Sequence, residues 1–163
     1  MENRLFEINT EKTTKVEKLC LWVKDDGSAE VIRISPMELL VGFDEIKAIT
    51  FSTSIQAIFE VFGRFKDIEV LIGFEEDQTV EISKLYSEIM EMTKPFIMQA
   101  TLRNVEIYHL PNCHKKLYLL GKDGEVKRAI LGSANASKKA WANNQGEYFV
   151  VVEEPKLIQE LLL

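Results

Sequence analysis

Residues 114–137, HKKLYLLGKDGEVKRAILGSANAS, hold His114 and Lys116 two residues apart and then, beyond a turn signal, Ser133 and Asn135 two residues apart. A neutral imidazole can attack phosphorus as a nucleophile. An ammonium group and a side-chain amide can hold the non-bridging oxygens of a phosphodiester as charge develops on them, and a hydroxyl adds a further hydrogen bond. Such a scheme needs no metal and no other cofactor. Alternate residues of a strand face the same way, so a strand HKKLYLL presents His114 and Lys116 on one side and Lys115 on the other. A hairpin returning through VKRAILGSAN then sets Ser133 and Asn135 beside them at one end of a sheet.

The elements that must position these residues are legible upstream. Residues 16–35, VEKLCLWVKDDGSAEVIRIS, place two β-prone apolar runs on either side of DDGS, a hairpin signal, and Pro36 stops the second strand. Residues 36–45 then read as a short helix or a connection. From Ile46 the pattern alternates: IKAITFSTS is a strand, and SIQAIFEVFGRF carries Ile55, Ile58, Phe59 and Phe62 at helical spacing behind Ser/Thr caps. DIEVLIGFE is a nearly continuous apolar strand, as a sheet covered on both faces requires. A long helix interrupted by Pro95 is predicted over residues 83–104, and VEIYHLP is a third strand ended by Pro111.

After the strand–turn–strand of HKKLYLL, GKDGE and VKRAILGS, the sequence predicts a short helix ASKKAWAN, a strand EYFVVVE and a last helix from near Pro155. This order implies an α/β fold, a mixed β-sheet sandwiched by helices, with an N-terminal β-hairpin extension. The expected division is residues 1–44 as the extension, packed on the main domain, and 45–163 as that domain. Ser133 and Asn135 also suit caps for a helix starting at Ala136, a role compatible with phosphate contact at a helix N-terminus. Trp141 is expected to pack its helix onto the sheet, and Cys20 to lie in the core.

The ordered set HKKLYLL, ILGSANAS and NNQGEYFVVV resembles the phospholipase D superfamily motif, HxK followed by GSxN and a later Glu. It is most similar to the nuclease-like branch, which includes domains of restriction endonucleases and of helicase-associated proteins. The resemblance runs from about Glu45 to Glu154 and implies a phospholipase D-like fold. It makes His114 the nucleophile that forms a phosphohistidine, Lys116 and Asn135 phosphate-binding residues, and Ser133 the hydroxyl. Glu147 becomes the carboxylate that orients the histidine. The family brings two motifs face to face, the second histidine protonating the leaving oxygen. Only one copy is present here, because His109 is followed by Leu110 and Pro111 and cannot begin a second HxK. The resemblance therefore implies a homodimer with one shared site on the twofold axis. One position departs: the family's Asp seven residues after the histidine is Gly121.

The chain has 163 residues and a net charge of −6, yet residues 101–146 hold eight basic residues against three acidic, a local +5. Lys115, Lys138 and Lys139 in that segment are the candidates for nucleic-acid backbone contact, the alternative being ordinary solvated positions. DNA is the expected partner. No apolar run reaches the roughly 20 residues of a membrane helix, and MENRLFEINTEK has no apolar signal segment, so a cytoplasmic location without membrane contact is expected. Two widely separated cysteines in no paired CxxC pattern argue against a disulfide framework or zinc site, and His109, Cys113 and His114 in HLPNCH make a weak metal set, so no metal is expected. A helix KLIQELLL ending on three leucines exposes apolar surface, as expected where further C-terminal domains follow or a subunit packs. The expected function is a metal-independent phosphodiesterase or nuclease, a domain of a restriction or helicase-associated protein. The alternative is a weakly active or inactive module for nucleic-acid binding or dimerisation.

Overall fold

DDGS forms its turn as the sequence requires: Asp26 Oδ1 accepts from the Ser28 amide at 2.9 Å and from its hydroxyl at 2.6 Å. This turn joins β1 (Lys18–Val23) to β2 (Ala29–Ile34) in an antiparallel pair. The computed structural model describes residues 16–51, 53–75 and 104–162. After β2, a 3-10 helix (Pro36–Leu40) buries Leu39 and Leu40 and leads into β3 (Glu45–Phe51). Then follow α1 (Ile55–Phe62), β4 (Asp67–Phe74), β5 (Asn104–Pro111), β6 (Leu117–Lys122) and β7 (Glu125–Gly132). A short α2 (Lys138–Trp141), β8 (Phe149–Val152) and α3 (Pro155–Leu162) complete the described chain.

The strands form one mixed sheet in the order β2-β1-β8-β7-β6-β3-β4-β5. Strands β3, β4 and β5 run parallel, β1 and β8 run parallel, and the remaining pairs are antiparallel. The N-terminal hairpin joins this same sheet through β1 and β8, with Cys20 opposite Phe149. Burial pushes the Cys20 thiol up to about 11, consistent with its place in the core.

One face of the sheet carries the larger core. The stripe read from the sequence, Ile55, Ile58, Phe59 and Phe62, is buried there, and Ser54 caps α1 by accepting from the Ala57 amide at 3.1 Å. Trp141 is fully buried, with its ring edge-to-face against Phe62, Tyr118 and Phe149 at 5.7, 4.9 and 5.2 Å. On the opposite face α3 sets Ile158 against Ala129 and Val152. The sandwich expectation holds only in a coarser form: one large mixed sheet with few helices, of which just α3 covers the second face among the described residues. Along α3, Leu161 packs inward while Leu157 and Leu162 remain exposed.

Several boundaries differ from the sequence expectation. The strand expected to begin at His114 begins at Leu117, because residues 113–116 leave the ladder. The helix expected from Ala136 begins at Lys138, where Ser137 accepts from the Ala140 amide at 3.3 Å. Ser133 and Asn135 are therefore not its caps. The strand expected from Glu147 begins at Phe149, since Tyr148 is instead paired with Ser133. Asn104 opens β5 rather than closing a helix, and the rest of the long helix predicted before it lies outside the described residues.

Candidate active site

Tyr118 follows the HKK motif on β6 and donates its hydroxyl to the Ala134 carbonyl, inside GSAN, at 2.6 Å. Leu117 pairs with Leu131 in the β6–β7 ladder, so residues 114–116 and 133–135 leave the sheet at one end. The C-terminal end of the central strand β3 binds both. Thr50, fully buried, accepts from the Ala136 amide at 2.8 Å, and Phe51 stacks on the His114 ring with centroids 4.0 Å apart and planes at 23°. Thr53 donates to the Ala136 carbonyl at 2.8 Å, and the Trp141 indole donates to the Asn135 carbonyl at 3.1 Å. The backbone of residues 134–136, the end of GSAN and the alanine after it, is thus held at four points by side chains of β3, its following loop, β6 and α2.

Two glycines let the backbones approach this closely. At Gly132, with φ +152°, a Cβ would collide with the Tyr148 carbonyl oxygen. A Cβ on Gly73, near the end of β4, would collide with the carbonyl oxygen of Cys113. That packing fixes the residue immediately before His114 against β4.

His114 is half exposed, its Nε2 lying 3.4 Å from Glu75 Oε1. Lys116 Nζ donates to the His114 carbonyl at 3.1 Å and lies 5.8 Å from the centre of the same Phe51 ring. An ammonium has three donors, so two remain for a ligand. The two motif side chains therefore share the Phe51 ring, although strand alternation, the expected reason for their proximity, does not operate in an irregular segment. Lys115 instead lines a groove of about 460 Å³ with Tyr108, Leu117 and Leu161, on the face that α3 partly covers.

Ser133 donates its hydroxyl to Glu147 Oε2 and accepts from the Tyr148 amide at 2.9 Å. Its one hydroxyl hydrogen is committed to Glu147, so in this arrangement Ser133 holds the carboxylate rather than offering a donor to a phosphate. Glu147 Oε1 accepts from Gln145 Nε2 at 2.8 Å. Within one chain the carboxylate beside His114 is Glu75, while Glu147 faces Ser133 and Gln145. Asn135 Oδ1 is buried and has no hydrogen-bond partner among the described residues; the donors that could hold a phosphate oxygen are on Nδ2 of the same amide. Lys138 and Lys139 are exposed on α2, one turn beyond GSAN.

Sequence reasoning missed Thr50, Phe51, Gly73 and Glu75. None carries a motif of its own, and each acts through a strand end that meets the motif only in the folded sheet. Gly121, in place of the family's Asp, sits at a β-bulge opposite Glu45. A Cβ there would lie 3.0 Å from Glu45 Oε2, while Glu45 Oε1 accepts from the Gly124 amide at 3.2 Å. Gly121 is four strand residues past Leu117, about 13 Å farther from the motif end of the sheet at ~3.3 Å per residue. The candidate metal set is dispersed: His109 tilts against Phe74 on β5, and no group of three or more such ligands forms among the described residues.

Residues 33–162 match the family described as the NgoFVII restriction endonuclease N-terminal PLD domain, PLD denoting phospholipase D. The chain is 34% identical over 156 residues to the uncharacterized protein aq_aa28 of Aquifex aeolicus (strain VF5), covering 92% of this chain and 97% of that protein. Among solved structures it is similar to NucT from Helicobacter pylori, with a TM-score of 0.47 and 18% identity over 78% of this chain and 80% of that one.

Proposed function

Because the chain belongs to the family of the NgoFVII restriction endonuclease N-terminal PLD domain, a nuclease-like branch of the phospholipase D superfamily, we propose that it is a metal-independent phosphodiesterase acting on nucleic acid, with DNA as the substrate to test. The observation that carries this reading is the convergence of both motif halves on the end of β3, with Phe51 against His114 and Thr50 against the Ala136 amide, immediately after GSAN. An exposed imidazole, an ammonium with donors to spare and the Asn135 amide then share one sheet end.

In the first step the His114 imidazole attacks phosphorus and the bond to the leaving oxygen breaks. That oxygen takes a proton from the partner's His114, supplied across a homodimer axis. In the second step water attacks the phosphohistidine, the P–N bond breaks, and the water proton returns to the partner's His114. Lys116 and Asn135 hold the non-bridging oxygens through both steps. Glu147, held by Ser133 and Gln145, supplies the carboxylate that orients an imidazole. Lys115, Lys138 and Lys139 contact the flanking phosphates. The domain serves a restriction or helicase-associated protein.

Cleavage of DNA in EDTA tests the proposal, with a covalent histidine adduct trapped on a phosphodiester substrate. His114→Ala should abolish both while leaving the fold intact. A requirement for a divalent metal overturns the mechanism. Salt-dependent DNA binding with neither adduct nor cleavage would favour the non-catalytic module, which the glycine at position 121 alone favours.

A further inference from the structure

Lys18, the first residue of β1, comes from a strand that precedes the family-matched residues 33–162. Its Nζ donates to the Ala140 carbonyl at the end of α2 and, at 2.7 Å, to the Gln145 carbonyl. It also lies 5.6 Å from the centre of the Phe149 ring. The ammonium thus spans the start and the end of the connection between α2 and β8. That connection has no ladder of its own, and Gln145 and Glu147 stand at its end. The Gln145 side chain holds Glu147 Oε1, and Glu147 Oε2 takes the Ser133 hydroxyl. Burial holds Lys18 below the usual lysine range, while the negative charge of Glu147 acts in the opposite direction. A partly buried ammonium facing a carboxylate at a site is placed at a cost that a solvated lysine avoids.

We infer that Lys18 is a positioning residue of the active site, anchoring residues 142–146 so that Gln145 and Ser133 hold Glu147 in one orientation. The hairpin is then part of the site although it contributes no motif residue. The kinetic arm of this inference rests on the function proposed above; the structural arm does not.

Hydrolysis of bis(4-nitrophenyl) phosphate in EDTA by the full chain supplies the kinetic arm. Lys18→Met should lower kcat roughly ten- to hundredfold with KM little changed, the range seen when outer supports of a reactive group are lost. Lys18→Arg, whose guanidinium can also reach two carbonyls, should recover most of that loss. The structural arm is hydrogen exchange at the Tyr148 amide, which donates to Ser133 Oγ and so reports on the Ser133–Glu147 contact. Exchange there should accelerate in Lys18→Met and return towards normal in Lys18→Arg. Lys18→Gln, whose shorter neutral amide cannot reach both carbonyls, should lower kcat in the same direction and decides the matter if Lys18→Met does not fold. Normal kcat and normal Tyr148 protection in Lys18→Met, or in Lys18→Gln in its place, overturn the inference. Accelerated exchange in a chain that shows no hydrolysis even as wild type sustains it while the proposed function fails.

Discussion

Tyr118 shows how a residue with no part in the chemistry sets the site. Its ring is buried among Phe62 and Trp141, and its hydroxyl satisfies the Ala134 carbonyl. Burial raises the pKa of that hydroxyl well above the ordinary tyrosine value, so it remains a donor throughout the working range. Tyr118→Phe leaves a buried carbonyl without its partner at a cost of about 1–3 kcal/mol, readable by urea denaturation. Asn135 and Ser133 shift with that carbonyl, so kcat for phosphodiester hydrolysis should fall as well. A second prediction at this scale concerns His109, whose pKa burial lowers below the ordinary 6.5. The unfolded chain then takes up its proton at a higher pH than the native one, so stability declines as pH falls from about 6.5 through the folded pKa. In thermal melts at graded pH, His109→Gln should flatten this acid decline, and an unchanged slope would show that other groups cause it.

At the scale of elements, the deciding feature is how β6 starts. Extending its ladder to His114 would have aligned His114 and Lys116 by alternation alone. Instead the Cys113 carbonyl packs where Gly73 lacks a side chain, and Phe51 takes the imidazole ring. The loop bearing His114 is thereby fixed against the ends of β3 and β4. Gly73→Ala forces the two backbones apart and displaces His114, and misplacement of a reacting group by about 1 Å can cost roughly a hundredfold in rate. The expected outcome is a loss of kcat far larger than the change in melting temperature accounts for, measured side by side on the same protein. Equal rates for Gly73→Ala and wild type would mean that the loop is positioned by Phe51 alone.

For the whole molecule, the eight-stranded sheet brings one copy of the motif to one end, and the proposed mechanism needs two. Sedimentation should therefore find a dimer, and its dissociation on dilution should remove hydrolysis in step. Mixing wild-type chains with His114→Ala chains tests the shared site: heterodimers should be inactive, so activity falls with the square of the wild-type fraction. A linear fall would mean that each chain works alone. Gly121 has its explanation at this scale too. It lies at a bulge on a different part of the sheet from the motif, beside Glu45, where an aspartate would add like charge next to an existing carboxylate.

The sequence by itself determined the motif order, the alternation of strands and helices, and the buried stripe of α1, because those depend on neighbours within a few residues. It also determined the hairpin at DDGS, where Asp26 and Ser28 bond locally. Tertiary structure alone decided which strand ends meet: Thr50 and Phe51 against both motif halves, Gly73 against Cys113, and Lys18 against the connection that carries Glu147. Each of these contacts joins residues tens of positions apart, and the residue types involved do other work elsewhere in the same chain. Only the sheet order makes them neighbours, because on its other side from the strand that follows it in sequence β3 lies beside β6, and β1 beside β8.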